Sequence, residues 1–149
     1  MKIIKTICST TVAALLCSLS FVSFAQTQTP APRIYHVATF YVTPGLDSAA
    51  RAERAAVLKE YHDKVTMKNE LILRSWSMAH YFSEDSREFV TINEYANWND
   101  VDKGAVRDEE LVKKAWPNSK QRMAFMNKFD SYFTGHKDAI YSGSSSLTK

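Results

Sequence analysis

Two strand-like stretches, Leu71 to Phe82 and Arg87 to Ala96, are separated only by the polar residues Ser83-Glu84-Asp85-Ser86. So short a connection joins neighbouring strands only as an antiparallel hairpin, because a parallel pair needs a long crossover. Whatever precedes and follows must pack around that hairpin.

Before it, Arg33 to Thr43 is rich in β-branched and aromatic residues and reads as a strand. Pro44-Gly45 turns the chain. Asp47 or Ser48 caps a helix running to about Lys68, with Leu46, Ala50, Val57, Leu58, Tyr61 and Val65 as its apolar stripe. After the hairpin, Asn97 or Asn99 caps a helical region in which Glu109 and Lys113, and Glu110 and Lys114, stand at favourable i,i+4 spacing. Pro117 breaks it after Trp116. A second helical piece carries Met123, Phe125, Met126, Phe129, Tyr132 and Phe133, with Gly135 as the expected C-terminal cap. Ala139-Ile140-Tyr141 is the expected last strand. The order β-α-β-β-α-β is the ferredoxin-like arrangement of an α+β domain.

The ends of the chain read differently. Lys2 and Lys5 precede an apolar run that closes on Ser23-Phe24-Ala25, the pattern of a secretory signal peptide cleaved after Ala25. Leu16 is too large for a lipid-anchor signal at Cys17. Residues 1–25 are therefore set apart from the fold and the product is expected to be exported, to the periplasm or beyond. Residues 26–32 read as a flexible leader, 33–141 as one domain and 142–149 as a Ser-rich disordered tail. Both cysteines, Cys8 and Cys17, lie in the signal, so the mature domain depends on its core with no disulfide. The net charge of +3 includes Lys2 and Lys5, and the mature chain is nearly neutral. No basic face points to nucleic acid, and after the signal no apolar run is long enough for a membrane.

A hairpin closed around 83–86 sets Phe82 opposite Arg87. Counting back, His80 opposes Phe89, Met78 opposes Thr91, Trp76 opposes Asn93 and Arg74 opposes Tyr95. Side chains alternate, so these residues share one sheet face. The helices of one such unit cover only one face. The face with Trp76, Met78, Phe89 and Tyr95 is then expected to meet a second copy, leaving an aromatic pocket between two sheets.

On these segments the chain resembles the antibiotic-biosynthesis-monooxygenase-like group of dimeric α+β barrels. The resemblance runs from about Arg33 to Tyr141. It is carried by the element order, by FYVTPGLDSAARAERAAVLKEY and by EFVTINEYANW. It implies a homodimer, and a group that includes cofactor-free oxygenases, haem-degrading enzymes and members with no assigned activity. Haem-degrading members pair a Trp after the third strand with a His in the next helix. Trp98 matches the Trp, but Asn99 to Ala115 contains no His.

Four histidines remain to be weighed: His36, His62, His80 and His136. None stands at metal-ligand spacing, and no Gly-rich phosphate loop or nucleophile triad occurs, so neither metal nor cofactor is expected. His80 beside Trp76 is the candidate acid or base. Arg74, Trp76, Asn93, Tyr95 and His36 are the candidate substrate contacts, with Arg74 for an anionic group and the face of His36 undecided. His62 beside Asp63 is no dyad, since helix neighbours diverge, and His136 is expected at a helix end or in solvent. Trp76, Trp98 and Trp116 also read as packing. Two functions fit: an exported homodimer that binds a small, partly apolar molecule, with cofactor-free monooxygenase-like chemistry, or a non-catalytic binding or interaction protein of the same fold.

Overall fold

The structure is a computed structural model that describes residues 31–79 and 87–144. Four strands form one antiparallel sheet: β1 (Ile34–Val42), β2 (Ile72–Ala79), β3 (Glu88–Tyr95) and β4 (Phe133–Ser142), in the spatial order β2-β3-β1-β4. Three helices accompany it: α1 (Ser48–Lys64), α2 (Trp98–Ala115) and α3 (Ser119–Ser131). The fold class is the expected ferredoxin-like α+β arrangement, with its second helical region split in two.

Local chemistry sets the boundaries. Gly45 turns the chain after β1 at φ 77°, a conformation that costs an L side chain strain. Asp47 caps α1 by accepting from the Ala50 amide at 2.8 Å. The helix stops at Lys64, and Thr66–Lys68 continue as one 3₁₀ turn rather than as α-helix. Asn97 caps α2 through the Asp100 amide. Pro117 has no N–H to continue α2, and Asn118 starts α3 at once by accepting from Lys120 and Gln121. Glu109 and Lys113 meet at 3.8 Å, whereas Glu110 takes Arg107 at 2.8 Å.

The helical layer has its own core. Val65, Leu111 and Trp116 are buried together, with Tyr61, Val112 and Phe125 packed on them. Trp116 stacks on Phe125 with ring centroids 4.0 Å apart and carries Lys64 on its indole. A second aromatic group, Phe40, Phe129 and Phe133, welds α3 to β1 and β4. Trp98 opens α2 at the surface.

The last strand departs from expectation. α3 ends at Ser131, and β4 runs from Phe133, so Gly135 is a strand residue paired with Tyr41 rather than a helix cap. Pairing with β1 along its whole length outweighs the local preference of Gly for a helix end. Ser142, placed in the tail by sequence, still pairs with Ile34, and the Gly143 amide donates to the Arg33 carbonyl at 2.7 Å.

The hairpin register also departs. Ser75 opposes Asn93, Ser77 opposes Thr91 and Ala79 opposes Phe89. Ile72 opposes Tyr95 and Arg74 opposes Glu94, so Leu73 is an extra residue bulged out of β2. The bulge sets Ile72, rather than Leu73, opposite Tyr95. From Ala79–Phe89 to Arg74–Glu94 the pairing is already one residue away from the register counted from a turn closed at 83–86, so Arg74 and Trp76 lie on the opposite face from Asn93 and Tyr95, where simple counting had put them together.

Candidate functional site

The sheet face turned to the helices carries His36, Ala38 and Phe40 from β1. Beside them stand Ser75 and Ser77 from β2, Phe89, Thr91, Asn93 and Tyr95 from β3, and His136, Asp138 and Ile140 from β4. Small residues at Ala38, Ser75, Ser77 and Thr91 leave the middle of this face low. Tyr61 and His62 of α1, Asp102, Ala105 and Asp108 of α2 and Phe129 of α3 stand over it. Between the layers lies a cavity of about 340 Å³, large enough for a small organic molecule.

Polar groups are grouped around this cavity. His36 Nε2 lies 3.0 Å from Asp138 Oδ1, and His136 Nε2 lies 3.3 Å from Asp138 Oδ2. An ionised carboxylate only accepts, so His36 Nε2 donates to Asp138. His36 is thereby held in place by Asp138, and His136 is held partly by stacking on Phe40. Among the described residues no group of three or more His, Cys, Asp and Glu is arranged to hold a metal ion. Ser75 donates to the Asn93 carbonyl oxygen at 2.7 Å.

Across the cavity, Asn69 is buried to 3% exposure and ties three segments. Its amide nitrogen donates to the Gly104 carbonyl at 2.9 Å and to Asp108 Oδ1 at 2.7 Å, while its oxygen accepts from the Leu71 amide. Burial pushes the Asp108 carboxyl above its usual range, against the opposing pull of the Asn69 bond and the His36 imidazole. Burial, with the Asp108 charge second, pushes Tyr61 and Tyr95 up to about 12, so both stay protonated donors. Tyr95 packs under α2 so closely that a Cβ at Gly104 would lie 2.7 Å from its ring.

The predicted site residues divide. His36, Asn93 and Tyr95 line the cavity, which also settles the face of His36. Arg74 and Trp76 do not: they lie on the open face, where Arg74 Nε stands 3.9 Å from Glu94 Oε2. His80 falls outside the described residues. This cavity lies between the sheet and helices of one chain and is distinct from the pocket expected between the sheets of two chains. His136, assigned to a helix end or solvent, is a strand residue at the cavity. Sequence reasoning passed over Asp138, Asp108, Asn69 and Tyr61. The alternation His136, Asp138, Ile140 was the available signal for the first, once β4 is read back to Phe133.

No family model matches the chain, and no curated protein matches it significantly. Solved structures match well in fold. A conserved protein from Methanosarcina mazei Go1 aligns with TM-score 0.52 and 14% identity over 77% of this chain and 96% of its own. A dimeric ferredoxin-like protein from an uncultured marine organism gives TM-score 0.52 and 10% identity over 81% and 96%. The cofactor-independent oxygenase SnoaB of Streptomyces nogalater gives TM-score 0.50 and 9% identity over 78% and 98%. Other matches are described as antibiotic biosynthesis monooxygenases. The fold is thus that of the ferredoxin-like proteins to which the sequence bore its resemblance. At these identities the likeness is one of fold, and function must be argued from the cavity.

Proposed function

We propose that this protein is an exported homodimer that binds a small, partly apolar molecule in the cavity between its sheet and helices. The cavity of about 340 Å³, walled by aromatic rings with a few converging polar groups, carries this reading. Chemistry without a cofactor fits the arrangement: His36, oriented by Asp138, removes a proton, and Tyr95 or Asn93 donates a hydrogen bond to the resulting oxyanion. The same fold in a cofactor-independent oxygenase supports this direction. The base on this reading is His36 rather than His80.

Homodimerisation is supported by the open face, where Trp76, Met78 and Tyr141 are 40%, 46% and 58% exposed. Its occurrence in a dimeric protein of the same fold agrees. Export rests on the signal pattern of residues 1–25. In the described residues no helix is long and apolar enough to cross a membrane.

Native mass spectrometry of the protein as purified tests the reading, with a dimer carrying one retained small molecule per chain as the expected species. Ser77→Trp, which fills the cavity from the β2 edge, is expected to release that molecule and leave the dimer intact. Retention of the molecule by the Ser77→Trp protein would move the binding site elsewhere. N-terminal sequencing of exported material is expected to begin at Gln26.

A further inference from the structure

Histidines apart, the charged side chains in the described lining of the cavity are all carboxylates. Its described lining contains three carboxyl side chains, Asp102, Asp108 and Asp138, and neither Lys nor Arg. The other titratable groups there are His36, His62 and His136 and the protonated Tyr61 and Tyr95. Aromatic rings form much of the remaining wall: Phe40 from β1, Phe89 from β3 and Phe129 from α3. Ring faces attract cations, and carboxylates do so more strongly as water is excluded. A carboxylate or phosphate ligand would meet like charge with no guanidinium or ammonium to offset it.

Resting on the cavity reading above, we propose that the ligand is a small organic cation, a protonated amine or quaternary ammonium on an apolar body. Asp108 is its principal partner. Asp138 is already engaged on both oxygens by His36 and His136. At Asp108 the Asn69 amide takes Oδ1, and no described residue bonds Oδ2, which remains the acceptor for an ammonium. Burial already disfavours the unpaired Asp108 carboxylate, and an arriving cation relieves that penalty. The aromatic walls take the body of the ligand. Asn69 acts through Asp108 as a positioning residue, since it anchors the carboxyl to the start of β2.

Three probes with one body and different head groups separate the possibilities by isothermal titration at pH 7: 2-phenylethylamine, 2-phenylethanol and 3-phenylpropionate. The amine is expected to bind at least about tenfold more tightly than the alcohol, and the carboxylate most weakly. Asp108→Asn should cost the amine about tenfold or more and leave the alcohol within about twofold. Asp138→Asn and Asp102→Asn, outside the Asn69 bonds, should shift the amine the same way by less, and they carry the test if Asp108→Asn does not fold. An alcohol or carboxylate that binds as well as the amine, or variants that weaken all three probes equally, overturns the cation assignment and leaves the cavity reading standing. Failure of all three probes to bind removes the cavity reading and the cation assignment with it.

Discussion

The two faces of the sheet are built from the same four strands and solve opposite problems. The covered face keeps its central residues small and sets polar groups around the space that results, with Asn69 and Gly104 holding α2 at a fixed height above Tyr95. The open face keeps its residues large, with Trp76, Met78 and Tyr141 in solvent and Glu94 buried to 7% beside Arg33 and Arg74. On the function proposed above, the covered face must resist collapse to keep its cavity, while the open face must offer area and matched charge to a second copy. The difference implies that each face fails in its own way when altered.

The largest effect is expected on the covered face at Asn69. Asn69→Ala strands the Gly104 carbonyl, the Leu71 amide and Asp108 together, and should cost about 3 kcal/mol in denaturant unfolding. A loss below about 1 kcal/mol would mean that water replaces the amide and α2 is not fixed by it. Gly104→Val forces α2 away from the Tyr95 ring and should cost about 2 kcal/mol, with the cavity altered in shape.

The open face should answer to a charge placed within its apolar area. Trp76→Glu is expected to weaken the dimer about 30-fold, or about 2 kcal/mol, in sedimentation equilibrium, and to leave cavity binding unchanged. A wild-type protein that stays monomeric at high concentration would end the division of labour between the faces.

A smaller, signed effect comes from Asp108. Its carboxyl titrates above the unfolded value, so the folded chain binds the extra proton first. This group's contribution is most favourable at pH below the unfolded carboxylate value and diminishes as pH rises through the raised folded value. The stability of the wild type relative to Asp108→Asn should therefore decline across that window in pH-dependent unfolding. A relative stability that rises instead would place Asp108 in a favourable ionic contact. Least affected should be Arg74→Met, within about 0.5 kcal/mol of wild type and without effect on ligand affinity, because Arg74 is exposed on the face away from the cavity.

Much of the architecture was legible in the residues themselves. Pro44-Gly45, the Asp47 and Asn97 caps, Pro117 and the polar 83–86 segment mark the element boundaries through short-range chemistry. β4 was legible only at its end, because Gly135 and the Phe/Tyr run before it satisfy a helix locally, and only pairing with β1 decides otherwise. The site was read in halves. His36, Asn93 and Tyr95 belong to strands whose alternation is uninterrupted, and they share the cavity. Arg74 and Trp76 were placed by counting from a turn closed at 83–86, and the pairing that sets in at Ala79–Phe89 is one residue away from that count, which composition and periodicity do not mark. Asp108 and Asn69 were passed over since their roles arise from contacts between distant segments.

The bulge at Leu73 also bears on how chains of this fold are compared with one another. Two relatives that differ by one residue there would align well without a gap, yet matched positions along β2 would present opposite sides of the molecule. A residue that faces the cavity in one lineage would face the open side of the sheet in the other. For this strand, a single insertion or deletion is a larger evolutionary step than several substitutions.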